Sequence, residues 1–278
     1  MTVAVSGASG NIGGGVASLL AGAGTPTTLL TRDPGRVPDL PGATVARGGF
    51  GDPALVDALT GADTFFMVSA TETADRADLQ CAAVDAAVRA GVRRIVYVSF
   101  VGAAPDCTFT FGRDHWHTEQ AVRDSGLAFT FLRDNLYLDL MPGMIGADDV
   151  IRGPAGHGRA AMVARADVVA VAAAVLGTDR HDGRTLNLTG PAALSLADVA
   201  DALTAALGRP IRYHRETLDE AYASRAGFGA PDWEVDGWVS SYTAIANGEL
   251  AQVSGDVRRV LHREPAGIDE VFPPLADL

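Results

Sequence analysis

Six short runs of β-branched, aromatic and leucine residues, at 3–6, 27–31, 43–47, 64–68, 94–99 and 128–133, punctuate the first half of the chain. Alanine-rich stretches with helical spacing, centred on Val16, Leu55, Val84 and Gln120, lie between them. Such alternation predicts βαβ units, hence an α/β fold with a doubly wound parallel sheet and helices on both faces. The helix ends carry matching punctuation: Gly22 and Gly24 close the first, Asp52-Pro53 opens the second, and Ala90-Gly91 ends the one before residue 94. Beyond Arg133 the pattern loosens into Met141-Pro142-Gly143 and a glycine-rich stretch at 153–158. A helix from Asp167 and a strand at 185–189 then return to the sheet. From Pro191 onward, helical pieces such as 196–207 alternate with stretches read as loops, which hold Trp233, Trp238 and Tyr242. The expected division is a nucleotide-type domain at 1–135 and 162–190, and a smaller C-terminal substrate lobe at 136–161 and 191–278.

Composition narrows the function. A formal net charge of -12, with no basic stripe, disfavours nucleic acid. Cys81 and Cys107 show neither metal-ligand nor redox spacing, and His115 and His117, two apart, face different sides of a helix, so no metal is expected. The longest apolar run, at 168–176, is too short for a bilayer, and the first strand starts by Val3. No membrane association and a cytoplasmic location are the expectation, with a homodimer compatible with the pattern. All 22 basic residues are arginine. Mechanisms that need a lysine are excluded.

Gly7-Ala8-Ser9-Gly10-Asn11-Ile12-Gly13 follows the first strand and opens the first helix. In that context the glycines mark a Rossmann-type dinucleotide turn: one for the tight turn, one for close approach of a pyrophosphate, one for helix–strand packing. The helix N-terminus adds unpaired N–H groups and partial positive charge. An NAD-preferring site usually ends its second strand in a carboxylate; here Thr31-Arg32 stands there, followed by Asp33. A guanidinium at Arg32 suits a 2′-phosphate, so NADP(H) is the expected cofactor.

The spacing of these glycines, then Thr31-Arg32, then Gly48-Gly49-Phe50-Gly51-Asp52, resembles the atypical short-chain dehydrogenases of the NmrA-like group. Gly91-Val92-Arg93-Arg94-Ile95-Val96-Tyr97-Val98-Ser99, the segments 115–119 and 125–133, Arg165-Ala166-Asp167-Val168 and Val253-Ser254-Gly255-Asp256-Val257 are similar to its quinone-reductase branch, the NAD(P)H:quinone oxidoreductase 2 type. The resemblance implies that Gly49, Phe50, Gly51 and Asp52 lie near adenine. It places Val68, Ser69 and Ala70 near the ribose and diphosphate, and Ser99, Phe100 and Val101 near nicotinamide. His115 and Asn135 complete the implied cofactor set. Serines at strand ends also commonly satisfy nearby backbone groups, which leaves an alternative open for Ser69 and Ser99.

The same alignment shows what is missing. Phe111 stands at the position of the usual catalytic tyrosine and His115 at that of its lysine. His115 is a candidate for a ribose hydrogen bond or for proton donation, against the alternative of a helix-face histidine. Tyr137, aligned with a tyrosine of the related reductases, is the candidate for orienting or protonating substrate, against the alternative of a packing aromatic. Trp233, Trp238 and Tyr242 are candidates for an aromatic wall, with core packing expected of at least one. The expected activity is hydride transfer from NADPH to a planar quinone or similar conjugated carbonyl, which needs little enzymatic proton donation. Reduction of a biosynthetic intermediate, or redox sensing by a non-catalytic regulator, are the alternatives.

Overall fold

In the computed structural model, which describes residues 1–275, the chain forms nine strands and ten α-helices among the described residues. In order these are β1 (Val3–Val5), α1 (Asn11–Gly22), β2 (Thr27–Thr31), β3 (Ala43–Arg47), α2 (Leu55–Leu59), β4 (Thr64–Val68), α3 (Arg76–Arg89), β5 (Arg94–Phe100), α4 (Thr110–Asp124) and β6 (Ala128–Asp134). There follow β7 (Val150–Gly153), α5 (Arg165–Leu176), β8 (Arg184–Leu188), α6 (Leu196–Leu207), β9 (Arg212–Arg215), α7 (Leu218–Arg225), α8 (Asp232–Ala246), α9 (Asp256–Leu261) and α10 (Ile268–Val271).

The chain divides into two compact units. The first comprises Met1–Pro105, Asp114–Asp134 and Val168–Asn187. Its seven-stranded sheet runs β3-β2-β1-β4-β5-β6-β8, and β1 to β6 pair in parallel. The order 3-2-1-4-5-6 is that of the Rossmann fold, with its change of direction beside β1. Val5 pairs with both Leu29 and Phe66, so the carboxyl ends of β1, β2 and β4 share one edge. The central strands read as unbroken apolar runs because they are covered on both faces: Phe65, Met67, Ile95, Tyr97 and Phe131 share one core with Leu55, Leu59, Val84 and Ala87. The returning strand anticipated near 185–189 is β8, beside β6.

The second unit holds Asp106–Arg113, Asn135–Asp167 and the described residues from Leu188 onward. Its boundary runs differently from the sequence expectation at 106–113, at Asn135, at 162–167 and at 188–190. Long-range bonds explain the difference. Thr108 is held by the Glu249 carboxylate, Phe111 packs on Trp233 at 6.0 Å, the Val163 N–H donates to the Leu136 carbonyl at 3.0 Å, and the Ser254 N–H donates to Thr189 Oγ1 at 2.9 Å. Trp233, Trp238 and Tyr242, expected on loops, all lie on α8. Asp232 and Glu234 in its first turn favour the helix N-terminus, a signal outweighed in the sequence by Gly227, Gly229 and Pro231 just before it. No helix among the described residues is long and apolar enough to cross a membrane.

The glycine-rich stretch has a packing reason. A Cβ on Gly153 would overlap the Tyr242 ring, and one on Gly158 would overlap the Ile245 carbonyl, so these glycines let the chain lie directly against α8. Because the obstacle at Gly158 is backbone, no rotamer change relieves it. Gly158→Ala is expected to cost about 1–3 kcal/mol. In a urea titration the midpoint falls while the slope stays constant; an unchanged midpoint rejects the packing account.

Candidate functional site

The site is built at the carboxyl edge of β1, β2 and β4, within the first unit. After Val5 the chain turns through Gly7 at φ +61°, a left-handed conformation that glycine adopts without strain. The Gly10 N–H donates to the Gly7 carbonyl at 2.8 Å and closes the turn. Gly10 then stands at the N-cap of α1 in extended conformation, and no side chain caps the helix. The first-turn N–H groups are therefore available to an anion. Gly13 lies so close to the carbonyls of Ser6 and Gly7 that an added Cβ would overlap both. Ala8 and Ile12 face the core, while Ser9, Gly10 and Asn11 are exposed. Ser6 braces the floor: its Oγ accepts from the Val68 N–H at 2.8 Å, joining β1 to β4.

The end of β2 supplies a cation. Thr31 is buried, with its Oγ1 accepting from the Asp33 N–H at 3.0 Å, and the Asp33 carboxylate accepts from the Gly35 N–H at 3.1 Å. The acid that follows Arg32 is thus occupied by its own turn. Arg32 is exposed, and its stem lies over Gly49, where an added Cβ would come 3.1 Å from Cγ. Among the described residues its guanidinium has no carboxylate partner. Phe50 lies edge-on to Phe65 at 6.3 Å.

One pocket gathers Ser6, Gly7, Ser9, Thr31, Arg32 and Phe50 with Gly48 and Gly49, and its far side is formed by Val68, Ser69, Ala70, Thr71, Thr73 and Leu79. Thr71, Thr73 and Leu79 were missed in the sequence; the only signal for Thr71 and Thr73 was their place shortly after β4, and Leu79 lies on α3. Gly51 and Asp52 stand outside this lining, Gly51 at φ +79° and Asp52 accepting from the Ala54 N–H at 2.9 Å. The residues fit a dinucleotide: an uncapped helix N-terminus, a turn with no room for side chains, and an unpaired guanidinium across from it.

A model of a family described as NAD(P)H-binding matches residues 7–179. The chain belongs to that NAD(P)H-binding family. It is 34% identical over 270 residues to the NAD(P)H azoreductase of Xenophilus azovorans, covering 94% of this chain and 93% of the relative. It is 38% identical over 226 residues to the (4-alkanoyl-5-oxo-2,5-dihydrofuran-3-yl)methyl phosphate reductase of Streptomyces griseus, covering 79% of this chain and 78% of the relative. The crystal structure of the NADPH-dependent quinone oxidoreductase 2 of Escherichia coli in complex with NADPH matches with a TM-score of 0.88 at 28% identity, covering 98% of each chain. The NmrA-like, atypical short-chain dehydrogenase grouping read from the motifs stands.

The remaining residues expected at the site of this NAD(P)H-binding protein are placed differently. Ser99 is fully buried and donates to Glu119 Oε1 at 2.7 Å; Arg133 donates to both oxygens of the same carboxylate, each at 2.7 Å. The Val101 N–H donates to the Asp134 carbonyl at 2.8 Å, and the Phe100 ring lies 6.1 Å from that of His115. Neither Ser99, Phe100 nor Val101 lines the pocket. Asn135 lies in the second unit; its Nδ2 donates to the Leu250 carbonyl at 3.0 Å and its Oδ1 accepts from the Leu136 N–H at 2.7 Å. Tyr137, also in the second unit, is half-buried with the Arg165 guanidinium 5.3 Å from its ring centre.

His115 is corrected most clearly. It is buried, with Nε2 3.0 Å from Arg76 Nη2 and Nδ1 2.9 Å from the Tyr97 hydroxyl. Both ring nitrogens are engaged inside the first unit, so the imidazole offers no proton to a ligand. Burial, reinforced by the nearby Arg76 and Arg133 charges, holds it well below its ordinary value of 6.5. The folded protein keeps this ring neutral while the unfolded chain protonates it below about pH 6.5. The unfolded state then binds more protons, and stability falls as pH falls through that region. Its share of the slope approaches about 1.4 kcal/mol per pH unit below pH 6. Urea titrations between pH 7.5 and 5 are expected to show a shallower decline in His115→Gln than in the native chain; identical slopes would mean that the buried ring titrates freely.

Proposed function

We propose that this protein is an NADPH-dependent oxidoreductase acting on a quinone or a similar planar, conjugated carbonyl. The observation that carries the reading is the pairing of the Arg32-lined pocket with the loss of the usual proton-donating dyad. Phe111 has no hydroxyl and is packed against Phe109 at 5.6 Å, and His115 is locked neutral behind β5. A substrate whose reduced oxygens collect protons from water suits such a protein; a simple ketone does not. The names of the relatives, an azoreductase and a quinone oxidoreductase, support electron-poor conjugated acceptors.

In this reading the α1 N–H groups and the turn from Gly7 to Gly13 hold the diphosphate, Arg32 pairs with the 2′-phosphate, and Phe50 lies on the adenine side. The backbone from Val68 to Ala70 faces the ribose. The reduced nicotinamide supplies the hydride. The protein's contribution is alignment and exclusion of water rather than acid catalysis. Tyr137 orients, or gives a proton to, the substrate oxygen.

The test is to mix the protein with NADPH and a panel of quinones, azo dyes, enones and simple ketones and follow nicotinamide absorbance. Oxidation with quinones or azo dyes and none with ketones is expected. Tight NADPH binding with no oxidation by any acceptor would favour the sensing role instead. Arg32→Ala is expected to weaken NADPH by about 1.5–3 kcal/mol, roughly 10- to 150-fold, with NADH little changed. Equal affinity of the native protein for the two cofactors would remove Arg32 from the 2′-phosphate.

Tyr137→Phe keeps the ring and its place under Arg165 while removing one hydroxyl. Turnover is expected to fall toward the low end of the roughly 10²–10⁴-fold range for a positioned proton donor, with NADPH affinity constant. Unchanged turnover reduces Tyr137 to packing.

A further inference from the structure

The segment after β4 that forms the pocket's far side is held from behind. Ala70 lines the pocket, and side chains of α3 take both of its backbone polar groups. Its N–H donates to Gln80 Oε1 at 3.0 Å, and its carbonyl accepts from Arg76 Nε at 3.0 Å. Two consecutive peptide planes are thereby pinned. Arg76 and Gln80 are four residues apart on one helix face, within the buried stripe of Ala83, Val84 and Ala87. They are 2% and 0% exposed, where an amphipathic helix would ordinarily carry apolar residues.

Each is held in turn. Gln80 Nε2 donates to Thr118 Oγ1 at 2.9 Å, and that hydroxyl donates to the Asp114 carbonyl at 2.8 Å. A guanidinium only donates, so His115 Nε2 accepts from Arg76, and the proton of the neutral ring sits on Nδ1. Nδ1–H then donates to the Tyr97 oxygen at 2.9 Å, and the Tyr97 hydroxyl donates to Gln80 Oε1 at 3.4 Å. The bonds run in one direction from Arg76 back to Gln80. Arg76 Nη1, which makes no hydrogen bond, lies 3.6 Å from the Asp114 carboxylate.

We propose that Arg76 and Gln80 are positioning residues for the dinucleotide, fixing the Ala70 peptides in the orientation the cofactor meets, with His115 as the acceptor that orients Arg76. A buried polar cluster kept for the core alone has no need to end on the backbone of a pocket loop; apolar side chains of the same size fill such space at no desolvation cost. Here both ends of the chain of bonds converge on one residue of the lining. The histidine at the position of the family's lysine thus serves the cofactor site at one remove, through Arg76. The inference rests on reading this pocket as the NAD(P)H site and needs no knowledge of the acceptor substrate.

The experiment measures NADPH binding by nicotinamide fluorescence and amide hydrogen exchange across 69–73, both without substrate. Gln80→Met is expected to weaken NADPH about 5- to 150-fold, the span for leaving buried polar groups unpaired. Exchange at 69–73 should speed up while exchange in β1 and α1 stays native. NADPH affinity within twofold of native, or unaltered exchange at 69–73, would overturn the proposal. If that variant fails to fold, the comparison of His115→Phe with His115→Gln decides. Gln can accept from Arg76 and donate to Tyr97, and so should bind NADPH several-fold more tightly than Phe; equal affinities reject the positioning role. Native protein that binds NADPH but reduces no acceptor would defeat the reductase reading and leave this inference standing.

Discussion

The first unit depends on one close approach, of the start of α1 to the end of β1, where Gly13 meets the carbonyls of Ser6 and Gly7 with no room for a side chain. That contact sets the direction of α1, and its direction presents the uncapped N–H groups of the helix at the sheet edge. The parallel register places the ends of β2 and β4 at the same edge, so Arg32 and the loop after Val68 need no special device to reach the turn. Substitution at Gly13 would disturb helix, strand and pocket together. A fold of this kind concentrates its ligand chemistry where backbone, rather than side chains, comes nearest.

Buried polar groups in this unit are spent on internal order. Ser99, Glu119 and Arg133 form one group and Arg76, Gln80, Tyr97 and His115 another. Such groups are tolerated in a low-dielectric interior only when nearly every donor finds an acceptor. Saturation also makes them poor catalysts, because a side chain with both ends engaged has nothing to offer a ligand. The site is therefore mostly main chain plus one exposed arginine, which agrees with a chemistry that asks for alignment more than for acid and base.

The strands of the sheet were legible because double-sided burial leaves short apolar runs between glycine and proline punctuation, a local signal. The phosphate turn was legible for a related reason: its glycines answer to backbone sterics within seven residues. Arg32 could be read because its position follows from the end of a strand. The partners that Ser99, His115 and Asn135 take lie 20, 39 and 115 residues away, and no local pattern encodes those. The segment Asp106–Arg113 was misassigned for the same reason, its ties to Glu249 and Trp233 being distant in sequence. Arg76 and Gln80 did leave a trace: two polar residues interrupt an otherwise apolar stripe at helical spacing, and such an interruption points to a buried network.

The double attachment of Ala70 bears on the rate at which a nucleotide is captured. A loop that must order itself around its ligand slows association, and the entropy of that ordering is subtracted from affinity. With the peptides on both sides of Ala70 fixed by α3, the conformational search for this stretch is completed when the chain folds. Capture by this part of the pocket then behaves as docking onto a rigid rim. Any slow step in the encounter has to arise elsewhere in the molecule.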